Sequence, residues 1–178
     1  MSLFVAVEVP GRVRDGVAAA VAPLRVESPG LRWVAPERYH LTVVFLGELA
    51  PGAVAGVVRA LAPALAGVAP FAVALSGEIG AFGQRVLWAG LAPSPALSDV
   101  AARVRNGVGA VVALPDGDRP FSAHLTLARA GRSKIVVPAE GGSVAVPRLP
   151  WTVDRVVLMR SAGGYSVEHM VALRGVDA

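Results

Sequence analysis

The same tripeptide begins two stretches of the chain, HLTVVFLG at residues 40–47 and HLTLAR at residues 124–129. Both stretches are short and apolar, which is typical of buried β-strands. Side chains two residues apart in a strand point to the same face of the sheet. Each strand should therefore present an imidazole beside a hydroxyl on one surface. Only three histidines occur in the chain, and two of them belong to this tripeptide.

Hydrophobic periodicity divides the rest of the chain into further strands and three helices. Strands are predicted at residues 3–9, 39–46, 71–77, 85–91, 123–129, 152–159 and 165–173, and helices begin at Pro10, Pro51 and Ser94. Proline is tolerated in the first turn of a helix, and serine is a good N-cap. The first helix should fray at Pro23, and residues 26–38 should form a loop. Residues 80–83 should form a turn, and the last two strands should pair as a hairpin across residues 161–164.

Alternation in the first strand predicts one face in the core and a second face that is partly exposed. The residues predicted on the core face are Val5, Val7 and Val9, and those on the second face are Phe4, Ala6 and Glu8.

The order of the elements repeats, because one strand and one helix precede each histidine strand. The interval from helix start to histidine is 30 residues in both halves, from Pro10 to His40 and from Ser94 to His124. This match predicts a duplicated β-α-β unit. Two such units, each an antiparallel sheet with helices on one side, predict an α+β protein with two pseudo-symmetric lobes. We expect a single domain over residues 1–178, with the two histidine strands on opposite walls of one cleft.

The composition is that of a globular protein, with 54% hydrophobic and 17% charged residues. The lack of cysteine excludes disulfides, thiolate metal sites and a cysteine nucleophile. Sixteen of the 17 basic residues are arginine and the net charge is +4, which fits either a GC-rich genome or a polyanionic partner. The basic residues are scattered, which favours a local phosphate site over a nucleic-acid-coating patch. Apolar runs of about 18 residues without a proline or a charge do not occur, so we expect a cytoplasmic protein without a membrane segment.

Two histidines on opposite sides of a reacting group can act as base and acid at once, since the ordinary imidazole pKa lies near 6.5. This arrangement suits in-line phosphoryl transfer without a metal, and the hydroxyls of Thr42 and Thr126 could hold the phosphate oxygens. Arg129 is the nearest cation for those oxygens. Strict alternation, however, turns Arg129 to the face opposite His124. Arg129 can reach the site only if the strand ends or bulges near Ala128.

The paired motifs resemble those of the 2H phosphoesterase superfamily, and within it the bacterial and archaeal RNA 2′,3′-cyclic phosphodiesterases, also called 2′-5′ RNA ligases. The likeness covers nearly the whole chain, including LFVAVEVP, HLTVVFLGE, GAFG, LWAGL, RPFSAHLTLAR, WTVDRVVLMRS and Tyr165. It implies a bilobal α+β fold with the active site in the cleft between the lobes. It also implies hydrolysis of 2′,3′-cyclic phosphate ends of RNA or nucleotides to 2′-phosphates without metal or cofactor.

By this resemblance, His124 is the base that activates water and His40 is the acid that protonates O3′, whereas spacing alone leaves the two roles open. The residues expected to bind phosphate are Thr42, Thr126 and Arg129, and Phe4 is expected near the nucleobase. The expected partners are RNA ends or cyclic nucleotides, tRNA fragments among them, for a monomeric enzyme. Alternative functions are 2′-5′ RNA ligation at the same site and non-catalytic binding of RNA ends.

Overall fold

The computed structural model describes residues 2–117, 119–137 and 144–176, so both ends of the predicted domain lie outside the described residues. Within these ranges the chain has the predicted α+β fold. The helices are α1 (Gly11–Glu27), α2 (Pro51–Ala64) and α3 (Pro95–Gly109). The strands are β1 (Ser2–Glu8), β2 (Arg32–Trp33), β3 (His40–Gly47), β4 (Phe71–Phe82), β5 (Val86–Leu91), β6 (His124–Arg129), β7 (Pro150–Val153), β8 (Arg155–Ser161) and β9 (Tyr165–Ala172).

The nine strands of the described ranges form one curled antiparallel sheet in the order β7-β4-β5-β6-β3-β1-β8-β9, with β2 paired to β6. The two histidine strands, β3 and β6, are neighbours at the centre, where Leu41 pairs with Leu125. Each continues outward through the strand that precedes it in its half, β1 beside β3 and β5 beside β6. The order is thus symmetric about the central pair, as a duplication requires, although the duplication itself stays a prediction.

The helices pack against one face of this sheet. The residues that α1 and α3 turn into the main core are Val13, Val17, Val21, Leu97, Val100, Ala101, Val104 and Val108. Ser94 caps α3 as predicted, because its hydroxyl accepts a hydrogen bond from the Leu97 amide. A separate small cluster lies on the other face of the sheet and consists of Phe4, Ala6, Val157 and Met159. Met159 of this cluster lines a cavity together with His40 and Tyr165.

The small cluster corrects the prediction for the first strand. Phe4 and Ala6 are buried rather than partly exposed, because β8 pairs with β1 and covers them with its own apolar side chains. The prediction that α1 frays at Pro23 was also wrong. Pro23 lacks an amide hydrogen, so the helix loses only one backbone hydrogen bond there. The Ser28 amide then donates to the Leu24 carbonyl oxygen and completes the last turn. The helix therefore continues to Glu27.

Three other boundaries differ from the prediction. Residues 26–38 contain β2, which pairs with β6, and a short 3₁₀ turn. β4 runs through residues 80–82, because Gly80 makes room for the ring of Trp88 and a Cβ there would lie 2.2 Å from it. The turn begins only at Gly83, where φ is +55°. The strand predicted at residues 152–159 is two strands separated by Asp154, of which β7 pairs with β4 and β8 with β1.

Candidate active site

Both histidines are held through the same ring nitrogen. His40 Nδ1 lies 2.8 Å from the Arg38 carbonyl oxygen, and His124 Nδ1 lies 2.7 Å from that of Ser122. A carbonyl oxygen can only accept, so each Nδ1 carries the proton and donates it. In the neutral rings Nε2 is therefore the nitrogen that can take up a proton. Each histidine together with the threonine two residues after it forms one half-site. The two half-sites thus present the same neutral tautomer, with the proton on Nδ1.

The neighbouring threonines share a face with their histidines, as the strand parity predicts. Thr42 Oγ1 lies 3.2 Å from His40 Nε2 and donates to it when the ring is neutral. Thr42 also lines the groove that His124 and Thr126 line. The structure therefore brings both half-sites together at the junction of β3 and β6.

Arg129 lies beside His124 and Thr126 because β6 contains a bulge. The register of β6 with β5 shifts between Thr126 and Ala128, which leaves Leu127 as an extra residue. A bulge of this kind reverses the alternation of side chains beyond it. Arg129 consequently lies on the same groove as His124 and Thr126 rather than on the opposite face. The bulge therefore meets the condition predicted from the sequence for Arg129 to reach the site.

β3 bulges at the same place in its own motif. Its register with β1 passes over Val43, so Phe45 returns to the face of Thr42 and lines the same groove, where it is 36% exposed. Phe45 follows His40 by five residues, as Arg129 follows His124. The two half-sites thus end in different side chains, an aromatic ring and a guanidinium. Sequence reasoning missed Phe45, although this equal spacing could have revealed it.

Aromatic rings surround the first imidazole. The centroid of the His40 ring lies 4.8 Å from that of Phe4 and 5.1 Å from that of Tyr165. Arg38 lies 5.7 Å from the Tyr165 centroid and donates to the carbonyl oxygen of Gly163 in the β8–β9 turn. Phe4 is only 5% exposed and Tyr165 is 38% exposed, so Tyr165 offers the larger free aromatic surface. A base contact of Phe4 stays a prediction.

A similar arrangement supports the second imidazole. Phe82 packs edge-to-face on His124 with ring centroids 4.8 Å apart, and the Arg119 guanidinium lies 6.0 Å from the Phe82 centroid. Arg105 of α3 donates to the carbonyl oxygens of Gly117 and Arg119 at 2.8 and 3.0 Å. The helix therefore holds the segment that carries Arg119. Neither Phe82 nor Arg119 was singled out from the sequence.

Burial lowers the pKa of both histidines below the ordinary value, against the opposing effect of their carbonyl partners. The charge of Arg129 lowers both pKa values further, and Arg119 adds to the lowering at His124. At pH 7 both imidazoles of the free protein are thus mostly neutral. The sequence predicts one protonated ring, and the negative charge of a bound phosphate would favour that state because it would raise both pKa values.

Two cavities flank the histidines, and they differ in charge. The cavity beside His40 has a volume of about 380 Å³, and its charged lining residues are Glu8, Glu37, Asp154, Arg14, Arg38 and Arg155. The groove beside His124 has a volume of about 800 Å³, and its charged lining residues are Arg85, Arg105, Arg119, Arg129 and Asp116. The first cavity is balanced and the second is strongly basic.

Neither a metal centre nor a membrane span is formed by the residues that the structure describes. Within residues 2–117, 119–137 and 144–176, no three histidine or acidic side chains are grouped so that they could hold a metal ion. None of the helices in these ranges is long and apolar enough to cross a membrane.

The fold places the chain in the class of the 2H phosphoesterases. The family model of the 2′-5′ RNA ligase superfamily matches residues 13–164, and the chain belongs to this family. The resemblance seen in the sequence motifs is thereby confirmed.

Curated relatives and solved structures agree with this membership. A protein of Geobacillus stearothermophilus named RNA 2′,3′-cyclic phosphodiesterase is 29% identical over 163 residues, which are 89% of this chain; the chain spans about half of that relative's length, 51%. One of Thermus thermophilus with the same name is 33% identical over 98% of this chain and 91% of its own. The crystal structure of TT0787 of Thermus thermophilus superposes with a TM-score of 0.85 at 30% identity, covering 98% of this chain and 99% of that one. E. coli LigT complexed with 3′-AMP shares the fold, with a TM-score of 0.77 at 23% identity and 97% of each chain covered.

Proposed function

We propose that this protein hydrolyses 2′,3′-cyclic phosphate ends of RNA or nucleotides to 2′-phosphates, using His124 as base and His40 as acid and no metal ion. The observation that carries the proposal is the matched pair of Nδ1–carbonyl hydrogen bonds, which leaves both Nε2 atoms available for proton transfer. The curated relatives with RNA 2′,3′-cyclic phosphodiesterase activity in their names support the choice of substrate.

The reaction is an in-line displacement at phosphorus. Nε2 of His124 takes a proton from water while the water oxygen forms a bond to phosphorus. The bond from phosphorus to O3′ breaks, and Nε2–H of His40 gives its proton to O3′. The product has a 2′-phosphate and a 3′-hydroxyl, and solvent returns both imidazoles to their starting protonation states. One ring must be protonated and the other neutral at the start, which the bound anion makes possible.

The phosphate oxygens need donors as charge builds on them. The hydroxyls of Thr42 and Thr126 approach from the two half-sites, and the guanidinium of Arg129 comes from the end of β6. Hydrogen bonds from a cation to phosphate oxygens are stronger than neutral ones. In this mechanism the bulge in β6 is what turns Arg129 toward the phosphate.

The two cavities support the order of the roles. The small cavity beside His40 balances acidic and basic side chains and exposes the ring of Tyr165, which suits an uncharged nucleoside. Because O3′ belongs to that nucleoside, the acid that protonates O3′ should stand on the same side, and His40 does. Phe4 packs against His40 and Tyr165, with ring centroids 4.8 and 5.4 Å away, and its small exposed fraction leaves the base less surface than Tyr165 offers.

The test uses EDTA-treated protein with a 2′,3′-cyclic mononucleotide, and the position of the product phosphate identifies the bond that breaks. His40→Ala and His124→Ala should each lower kcat by about 10²- to 10⁴-fold. His169→Ala is the matched control, because this third histidine lies on β9 outside both cavities. Undiminished turnover in the first two variants would contradict the mechanism. Binding of cyclic ends without turnover would make the protein a non-catalytic binder of RNA ends.

The order of acid and base has its own test. A substrate whose leaving oxygen is replaced by a better leaving group needs no proton from an acid. Such a substrate should rescue His40→Ala more than His124→Ala, and the reverse result would exchange the two roles.

The wider setting of the activity also remains a proposal. We propose that the monomer acts on RNA 3′ ends, tRNA fragments among them, in the cytoplasm. Light scattering of the purified protein and sequencing of RNA ends that accumulate in its absence would check these points.

A further inference from the structure

The residue two positions before each histidine has the same backbone role in both half-sites but a different side chain. Arg38 and Ser122 each accept the Nδ1 hydrogen bond of their histidine through the carbonyl oxygen. Serine has a short side chain, whereas the guanidinium of Arg38 extends to the β8–β9 turn and donates to the carbonyl oxygen of Gly163 at 3.1 Å. This contact joins segments 125 residues apart in the chain. The shared backbone role does not require it.

The turn that accepts this hydrogen bond leads directly to Tyr165, the first residue of β9. Gly163 has φ of +70°, a conformation that glycine adopts without strain. The Cζ atom of Arg38 lies 5.7 Å from the centroid of the Tyr165 ring, close enough for a cation to be attracted to an aromatic ring. One guanidinium therefore contacts both the turn and the ring.

The position of Tyr165 in the sheet makes these contacts necessary. β9 is the last strand in the sheet order, where it pairs with β8, and Tyr165 lies at its end. Strand ends at the edge of a sheet open more readily than central strands. The ring is 38% exposed, and its contacts with Phe4 and His40 are edge-to-face, at 5.4 and 5.1 Å between centroids. Arg38 adds the restraint that keeps this ring in one orientation.

The proposed reaction places the nucleoside in the cavity that Arg38, His40 and Tyr165 line together. A side chain that already has its binding orientation loses less entropy when the ligand arrives. We propose that Arg38 is a positioning residue for the nucleoside, because its guanidinium holds the β8–β9 turn and the Tyr165 ring as a preformed wall for the base. The inference rests on the proposed function. Arg38 would thus fix the acid through its carbonyl oxygen and the base wall through its side chain.

Two substrates separate an effect on the base from an effect on the phosphate. One is adenosine 2′,3′-cyclic phosphate, and the other is 1,4-anhydroribitol 2,3-cyclic phosphate, which has the sugar ring and the cyclic phosphate but no base. Arg38→Gln keeps the carbonyl oxygen that holds His40. It should raise KM for the adenosine substrate about two- to tenfold, as loss of one hydrogen bond does, and leave kcat unchanged. KM for the base-free substrate should not change.

The pH profile of kcat should also stay the same in Arg38→Gln. The charges that lower the pKa of His40 are those of Arg129 and His124, and the contribution of Arg38 is the hydrogen bond to its carbonyl oxygen. The substitution preserves that carbonyl oxygen. An effect on KM without a change in the pH profile therefore separates positioning of the base wall from a change at the acid.

A double-mutant cycle tests whether Arg38 acts through Tyr165. Tyr165→Ala should raise KM for the adenosine substrate at least as much as Arg38→Gln, and the double variant should be no worse than Tyr165→Ala alone. Arg160→Gln is the matched control, because Arg160 pairs with Glu168 at 2.8 Å across the same two strands but lines neither cavity. It should leave KM for both substrates unchanged.

Three results would overturn the inference. They are an unchanged KM in Arg38→Gln, an equal rise in KM for both substrates, and effects of Arg38→Gln and Tyr165→Ala that add in the double variant. Titration calorimetry with adenosine 2′-phosphate gives the same comparison of variants without turnover. If the unmodified protein hydrolyses neither substrate, the proposed function fails, whereas the affinities for adenosine 2′-phosphate still decide the role of Arg38.

Discussion

Replacing Arg119 by glutamine should raise the pKa of His124 and leave that of His40 unchanged. The charge of Arg119 acts on His124, where it adds to the effect of burial, and it is not among the charges that lower the pKa of His40. The Arg119 Cζ atom lies 6.0 Å from the Phe82 centroid, which lies 4.8 Å from that of His124, so the two charges are at most about 11 Å apart.

Coulomb's law gives the repulsion energy that corresponds to this separation. At about 11 Å two unit charges repel by about 0.4 kcal/mol in a water-like dielectric and by about 1.5 kcal/mol at an effective dielectric constant of about 20. Removing the positive charge should therefore raise the pKa of His124. Added salt should reduce the shift, because the guanidinium is exposed.

Proton NMR of the imidazole rings measures both pKa values at once. The chain has three histidines, so His40→Gln and His124→Gln are enough to assign all three resonances. The profile of kcat/KM against pH should follow the NMR result, since one limb should move with His124 and the other should stay. Arg59 is an exposed residue of α2 that lines neither cavity, so Arg59→Gln is the control for a general change in charge. A His124 resonance that does not move, or a His40 resonance that moves equally, would refute the reasoning that the charge of Arg119 lowers the pKa of His124 and not that of His40.

Three further predictions concern the threonines, the pH dependence of stability and the central strand pair. Thr126→Val should lower kcat/KM about 10²-fold, as loss of one transition-state donor does, whereas Thr126→Ser should keep most activity. Because the pKa values of His40 and His124 are lowered in the fold, the unfolded chain binds more protons just below pH 6.5. Stability should therefore fall on acidification through that window, by at most about 1.4 kcal/mol per pH unit for each histidine, and urea titrations of His40→Gln should show a smaller fall. Leu125→Ala should lower the free energy of unfolding by about 2–5 kcal/mol, since Leu125 is fully buried where the two halves pair.

The repeated tripeptide was sufficient to predict the chemistry-bearing faces of β3 and β6. Parity placed His40 beside Thr42 without knowledge of any partner strand, because side-chain direction in a strand is a local property. The 30-residue interval likewise predicted two matched halves. The symmetric sheet order around β3 and β6 agrees with that prediction.

The bulges could not be predicted in the same way. Val43 and Leu127 are apolar residues among apolar neighbours, and nothing in their own identity marks an extra residue. A bulge is a property of two paired strands, so it depends on β1 and β5 as much as on the histidine strands. The sequence could state only the condition under which Arg129 reaches the site. The role of Gly80 was equally hard to predict. This glycine lies within β4 and makes room for the ring of Trp88 on the neighbouring strand, so it does not mark a turn.

The two half-sites are alike at their imidazoles and unlike in the residues around them. Both imidazoles have Nδ1 tied to a carbonyl and both strands bulge at the third residue after histidine. A site with perfect twofold symmetry would bind a cyclic phosphate in two equivalent orientations, and each histidine would serve as acid in half of the events. Phe45 and Arg129 occupy corresponding positions, but one is an apolar aromatic ring and the other a cation. The two cavities also differ in charge.

In the proposed mechanism, the assignment of acid and base to the two histidines therefore depends on their surroundings rather than on the imidazoles themselves. In the proposed mechanism the balanced cavity places the nucleoside, and therefore the leaving O3′, beside His40. The basic groove leaves the side of His124 to the attacking water. Exchanging the residues at positions 45 and 129 would reverse one of these two asymmetries, so that it opposes the other, while preserving both imidazoles. Such an exchange should then make the leaving-group rescue of His40→Ala and His124→Ala more nearly equal.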